Sequence, residues 1–306
     1  MIGYILRRLL LSIPLLIGIT LVVFLMVRVL PGSPARMVGG LKASQEEIEK
    51  IRKEYGLDQP LYVQYGMYLR DLITLDLGTS IKSGLPVSQE VGARLPYTLL
   101  LISMSLGIAS FIGIPLGILS ATHHQTILDY GTTSLALFGI SMPIYWSGLM
   151  LMYLFAGMLR LLPAGGADSP LHFILPSCTL AFALLANIVR LTRSSMLEIL
   201  NKDYIRTARS KGIKERTVIY VHALRNAIKP VITIIGLQFG TLLGGTVLTE
   251  SVFAWPGIGQ FIVKSIFSRD YIVIQSLILV FALIIVVTNL LTDLSYGAID
   301  PRIKYK

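Results

Sequence analysis

Few residues in this 306-residue chain are equipped for chemistry, and they stand apart from one another. His123 and His124 are adjacent, so on a helix they point in different directions and make a poor chelating pair. His172 stands alone. Glu250 and Asp293 each close a long apolar stretch. Cys178 is the one cysteine. It rules out an internal disulfide and any multi-cysteine metal site, and inside an apolar run it reads as a small buried residue. There is no glycine-rich phosphate loop, no G-x-S-x-G turn and no H-E-x-x-H pair. The stretch of distinct character is Tyr204–Ile232, "YIRTARSKGIKERTVIYVHALRNAIKPVI", which is rich in Arg and Lys between apolar neighbours.

The elements that must hold these residues are apolar. The chain is 54% hydrophobic and 14% charged, more oil than a soluble domain usually hides. Leu9–Val27, Leu95–Thr122, Tyr130–Leu159, Phe173–Val189, Val231–Thr249 and Tyr271–Thr292 contain no Asp, Glu, Lys, Arg or His. Each is near or above the roughly 17–25 residues that cross a bilayer as a helix, and lipid leaves the backbone no partner outside a helix. The expected fold is an all-α integral membrane protein with six transmembrane helices. Leu9–Val27 follows Arg7 and Arg8 as a signal peptide would. Its length and the absence of an A-x-A site mark it as a retained first helix, with Pro14 as a kink.

Lys and Arg in the short loops set the orientation. An inside N-terminus puts Arg7, Arg8, the cluster Arg190–Lys229, Arg302, Lys304 and Lys306 on the inner side. The short outer loops hold only Arg160, Lys264 and Arg269. Both termini are expected in the cytoplasm. The net charge of +10 thus marks one membrane face and not a nucleic-acid partner. Absence of ionisable groups at membrane depth argues against ion-coupled transport and against a pore lined by charged rings.

Residues 31–94 form a charged outer segment. Ser44 and Glu47 make an S-x-x-E capping box and Gly56 a helix stop. Pro60 opens a second helix whose Leu61, Tyr65, Tyr68, Leu69 and Leu72 share one apolar face. The segment reads either as a packing cap or as a part with a role in transport.

In the basic loop, Asp203 is expected to cap a helix that begins at Tyr204 and ends at Gly212. A second helix is expected over Lys214–Ile228, with Pro230 restarting the chain. Tyr204 and Ala208 share a face with Gly212 at its end, flanked by Arg206 and Arg209. Two readings fit: a short helix docking on a partner, or a positive anchor on lipid headgroups.

Y-I-R-T-A-R-S-K-G followed by H-A-L-R-N-A-x-x-P resembles the cytoplasmic loop of binding-protein-dependent ABC importer permeases of the oligopeptide/dipeptide family. The resemblance extends to "LPGSPAR" (Leu30–Arg36), "YGLDQPLYVQY" (Tyr55–Tyr65), "ILPSCTLA" (Ile174–Ala181), "ESVFAWPGIGQ" (Glu250–Gln260), "RDYIVIQ" (Arg269–Gln275) and "DPRIKYK" (Asp300–Lys306), and so covers essentially the whole chain. The general E-A-A-x-x-x-G signature is met only at Ala208 and Gly212; Arg206 and Thr207 depart from it, and Pro230 lies farther on.

The resemblance implies a non-catalytic permease subunit of a bacterial or archaeal cytoplasmic membrane. It would pair with a second, homologous permease chain, with two ATPase subunits that use ATP and Mg, and with an extracytoplasmic substrate-binding protein. It implies a first helix at 1–30, an outer segment at 31–94 and a transmembrane core at 95–306. The coupling loop falls at about 193–230, with Tyr204, Arg206, Thr207, Ala208, Arg209 and Gly212 as coupling helix. Trp255, Pro256, Gly257 and Gly259 would lie near the outer mouth, either contacting the binding protein or forming a structural turn, with Trp255 as an interfacial anchor. Nickel, metal-chelate and glutathione branches share these motifs, and a passive scaffold is the alternative from another class. "GLQFGTLLGGT" (Gly236–Thr246) reads as a close-packing face, toward this chain or toward the sister chain.

Overall fold

The computed structural model describes residues 2–29, 44–54 and 56–299. "LPGSPAR", Tyr55, "DPRIKYK" with Arg302, Lys304 and Lys306, and the side chain of Asp293 lie outside the described residues. Among those described, helices dominate and the only β pairing is an isolated bridge between Thr79 and Pro86.

The helices are α1 (Ile2–Val29), α2 (Gln45–Glu54), α3 (Leu61–Ile73), α4 (Val87–Thr122), α5 (Ile127–Ser141), α6 (Ile144–Leu151), α7 (Ile174–Leu200), α8 (Asp203–Ser210), α9 (Leu224–Val252), α10 (Ile258–Ser268) and α11 (Tyr271–Ile299). Among the described residues, five helical stretches are long and apolar enough to cross a membrane: Leu6–Met26, Val87–Thr122, Pro170–Leu200, Glu215–Val252 and Tyr271–Thr292. A sixth crossing results if the bent pair α5–α6 counts as one.

That pair shows the stretch expected as a span over Tyr130–Leu159 to be bent and not one straight helix. Ile127–Gly139 and Ile144–Met158 are inclined by 102°. The cause is Pro143: it disfavours helical geometry at Met142, which is extended at φ −89°, ψ 131°. Beyond α6 the chain continues as a π-helix, Met152–Met158. The opposite correction applies at Pro230, which lies inside α9 and does not restart it. Ala227 and Val231 on either side are buried, so packing carries the helix past the missing N–H. The expected helix over Lys214–Ile228 is present as a continuous helical stretch from Glu215, a single α-turn at Glu215–Thr217 followed by a π-helix at Val218–Ala223 and the start of α9. α7 runs past Val189 through Arg190 and Arg193 to Leu200, because nothing there breaks a helix.

Contacts divide the chain into two compact units. The first holds Met1–Tyr97 and Gly257–Val286. Here the S-x-x-E box forms: Ser44 N–H donates to Glu47 Oε2 at 2.7 Å and Glu47 N–H to Ser44 Oγ at 3.2 Å. Gly56 ends α2 in the left-handed region at φ 58°. α3 packs on α1 through Tyr65, whose hydroxyl bonds Ile17 O and meets Thr20 Oγ1, and through the buried Phe24. Leu61 lies outside the expected apolar face, and Gln64 is buried in its place. The Gln64 amide donates to Leu57 O and Gln59 O. Val87 and Val91 of α4 pack with Ile258, Val273 and Leu277. Asp270 accepts from Ser80 Oγ (2.6 Å), Lys82 N–H and Val273 N–H, capping α11 and holding the loop before α4.

The second unit, Thr98–Pro256 with Val287–Lys306, is built round α7, against which α5, α6 and α9 pack. α4 meets α7 through Gly113 and Gly117. A Cβ at Gly117 would lie 2.8 Å from Val189 O and 2.5 Å from Thr192 Cβ, so only glycine permits this crossing. In "GLQFGTLLGGT" the close approach is at Gly236, where a Cβ would come within 2.9 Å of Thr292 of α11 in the same chain. Glu250, buried at the end of α9, accepts from Thr98 Oγ1 at 2.6 Å.

Candidate functional site

α8 is the helix of the basic loop. Lys202 is its N-cap and Asp203 is already helical, which corrects the expected cap; Asp203 instead pairs with Arg206 at 3.7 Å in solvent. Gly212 closes the other end at φ 74°. Gly212 N–H bonds Arg209 O and Ile213 N–H bonds Ala208 O, a Schellman closure.

The two faces of α8 differ. Ile205 and Ala208 are buried, in one cluster with Met196 of α7, Ile118 and Ala121 of α4, and Val218, Ala223 and Ala227. Ala208 therefore packs into its own chain and is not on an outward docking face, correcting the expectation from its spacing to Tyr204. Three contiguous apolar walls claim it. Arg209 is engaged as well, bonding Glu215 through Nε at 3.2 Å and Nη2 at 2.7 Å. This bond raises the Arg209 guanidinium above its usual pKa. The outward surface is Tyr204, Thr207 and Lys211, at i, i+3 and i+7, with Arg206 beside them. Tyr204 is itself steadied by Asn226, whose amide donates to its hydroxyl at 3.1 Å.

A cleft of about 780 Å³ opens beside α8. Its walls include Leu119 and Thr122 of α4, Leu200, Arg216 and Tyr220.

The stretch expected at the outer mouth is mostly enclosed. Trp255 has no exposed surface and stands edge-on to Phe173 at 4.4 Å, so it is a core residue and not an interfacial anchor. Phe253 is equally buried, and its carbonyl accepts from Gly166 N–H at 2.9 Å. Gly165 passes so close that a Cβ would lie 2.4 Å from Phe253 O. Gly257 and Gly259 are buried and Pro256 is half-buried.

One constellation carries no motif in the sequence. Asp129, in the first turn of α5, is buried. Arg193 of α7 grips it with both arms, Nε to Oδ1 at 2.6 Å and Nη2 to Oδ2 at 2.8 Å. Ser120 Oγ donates to Oδ1 at 2.5 Å and Gln125 N–H to Oδ2 at 3.0 Å. His124 Nδ1 lies 3.0 Å from Oδ2 and 3.1 Å from Arg193 Nη2. One ring nitrogen either donates to the carboxylate or accepts from the guanidinium, not both. The available signal was an acid just before one apolar run and an arginine just after another. Two other histidines serve local turns: His123 Nδ1 meets Leu119 O, and His172 closes a capping box with Ser169.

The described residues thus form a helical, multi-span architecture with a loop helix seated on its own chain. The chain belongs to the family described as binding-protein-dependent transport system inner membrane component. Its main model matches residues 113–305 and its N-terminal model residues 1–102. Curated relatives align over the full length of both chains. Dipeptide transport system permease protein DppB of Alkalihalophilus pseudofirmus is 45% identical, and oligopeptide transport system permease protein AppB of Bacillus subtilis 44%. Glutathione transport system permease protein GsiC of Salmonella typhimurium is 45% identical. Among solved structures, inward-facing MetNI methionine ABC transporter matches with TM-score 0.61 at 16% identity, covering 69% of this chain and 97% of that one. At that identity the likeness is one of fold.

Proposed function

We propose that the chain is a non-catalytic permease subunit of an ABC importer and forms half of the path by which di- and oligopeptides cross the cytoplasmic membrane. The observation that carries this reading is full-length similarity to permeases named for dipeptides and oligopeptides. Equal identity to a glutathione permease supports glutathione, itself a short peptide, as a second substrate reading. A second permease chain completes the path, an extracytoplasmic binding protein delivers substrate, and two ATPase subunits hydrolyse Mg-ATP. The outward surface of α8, Tyr204, Thr207 and Lys211, is where an ATPase docks. Both termini and Arg206 are cytoplasmic, and Glu49 is extracytoplasmic.

Reconstitution with the second permease, the ATPases and the binding protein tests this reading. ATP-dependent uptake of labelled dipeptide or glutathione is expected, and none by this chain alone. Uptake of nickel or a metal chelate, with none of peptide, overturns the substrate reading. Thr207→Trp should insert and pair normally yet fail to retain the ATPases; unchanged retention removes α8 as the dock. A membrane-impermeant thiol reagent on intact cells, after Cys178→Ala, should label a cysteine at 49 and spare one at 206.

A further inference from the structure

We propose that the Asp129–Arg193 pair is the positioning link that makes α5 follow α7 when α8 is displaced; this rests on α8 being the ATPase dock. The argument begins at α8. Two residues, Asn201 and Lys202, join it to α7, and its inner face is packed on Met196 of α7 and Ile118 of α4. A displacement of α8 therefore pushes the ends of α4 and α7. Those two helices move together, because the Gly117 crossing leaves no slack against Val189 O and Thr192.

α5 is attached to α7 in two ways. Near its middle the contact is apolar and carries no directional bond: Ala136 lies on Ala186 and Val189, and Gly139 comes so close that a Cβ would lie 3.0 Å from Phe182 O. At its first turn, however, the Asp129 carboxylate takes donors from Ser120 of α4, from Arg193 of α7 and from the Gln125 backbone. The side chain of Asp129 is only 3% exposed, so water cannot replace these donors one at a time. Sliding α5 along α7 breaks the bidentate pair outright, and a bond set of this kind is either made or lost. α5 then enters the Met142–Pro143 break and α6. The carboxylate thus gives α5 a directional link to α7 beside the apolar packing, at the start of the helix that leads into α6.

The test uses the assembled transporter with Cys178→Ala and spin labels at Leu128 on α5 and Ser194 on α7. With the native pair, the label distance should stay single and narrow with and without nucleotide. In Asp129→Asn it should broaden or shift on nucleotide binding, and uptake should fall by about tenfold while ATP hydrolysis persists. Arg193→Lys, which keeps the charge but not the two-armed grip, should fall between. Wild-type uptake in Asp129→Asn, or a native distance that changes with nucleotide as much as the variant's, overturns the link. Failure of both variants to assemble also overturns it, by assigning the pair to folding alone. If the native complex takes up no peptide, the substrate reading fails while the label distance still decides the link.

Discussion

Two helices of this chain end by one backbone device and put it to different uses. At the end of α8, Gly212 adopts φ 74° with nothing within 4 Å of where a Cβ would stand. At the end of α9, Ala254 adopts φ 49°, and Trp255 N–H reaches back to Glu250 O at 2.8 Å. A left-handed alanine costs roughly 1–2 kcal/mol. Full burial of a large apolar side chain returns about 1.5–3 kcal/mol, and this turn buries both Phe253 and Trp255. The α9 end is thus held by what it encloses and tolerates a strained residue. The α8 end is held by one buried side, Ile205 and Ala208, and leaves the other side open.

Substitutions can break this contrast. Trp255→Ala should have the largest effect, about 3–5 kcal/mol, since it empties a fully buried site. The unfolding midpoint of the detergent-solubilised chain should drop accordingly; a small drop would mean that the residue is an exposed anchor after all. Ala208→Glu comes next, at about 3 kcal/mol, because a carboxylate would be buried unpaired. Thr207→Glu, one residue away on the open side, should leave the same midpoint unchanged. Equal effects at 207 and 208 would erase the two-faced description of α8.

Glycine substitutions separate the two ends more finely. Gly165→Ala forces a methyl against the Phe253 carbonyl and should cost about 1–3 kcal/mol. Gly212→Ala meets no neighbour and should cost only its backbone strain, about 1 kcal/mol. Reversal of that order would show the α8 turn to be enclosed.

The smallest effect belongs to a third helix start. Bonds from Ser44, backbone first and then side chain, hold the Glu47 carboxyl below its usual pKa. A depressed folded value means that the cap contributes above the unfolded pKa and is lost as pH falls through the folded one. Hydrogen exchange at Ser44, corrected for intrinsic rate, should lose protection as the solution is acidified through that value. Glu47→Gln should show no such step.

Element type was legible wherever local chemistry decides it. The S-x-x-E box at Ser44, the stop at Gly56 and the closure at Gly212 follow from side chains or from the freedom of glycine at the site itself. What spacing cannot supply is which side faces inward. Tyr204 and Ala208 are four apart on α8, yet one is exposed and the other buried, because the walls that claim Ala208 come from residues as distant as Ile118. Pro143 and Pro230 make the same point. The proline is identical, but only the second is flanked by buried Ala227 and Val231. Asp129 and Arg193 meet across 64 positions, a pairing no local pattern encodes. The G-x-x-x-G at Gly113–Gly117 was readable in principle, since it is the spacing that lets helices touch.

The π-helix at Val218–Ala223 sets the rotational phase of everything after it. Buried Val218 and Ala223 are five residues apart, and Ala227 follows at four. An uninterrupted α-helix would rotate that fifth residue out of the buried stripe. The wide turn therefore behaves as a one-residue insertion absorbed into a helix. Removing a single residue between 218 and 223 would restore ordinary winding and leave the segment helical. It would also turn α9 by about 100° relative to α8, so the chain would keep its helices and lose their alignment.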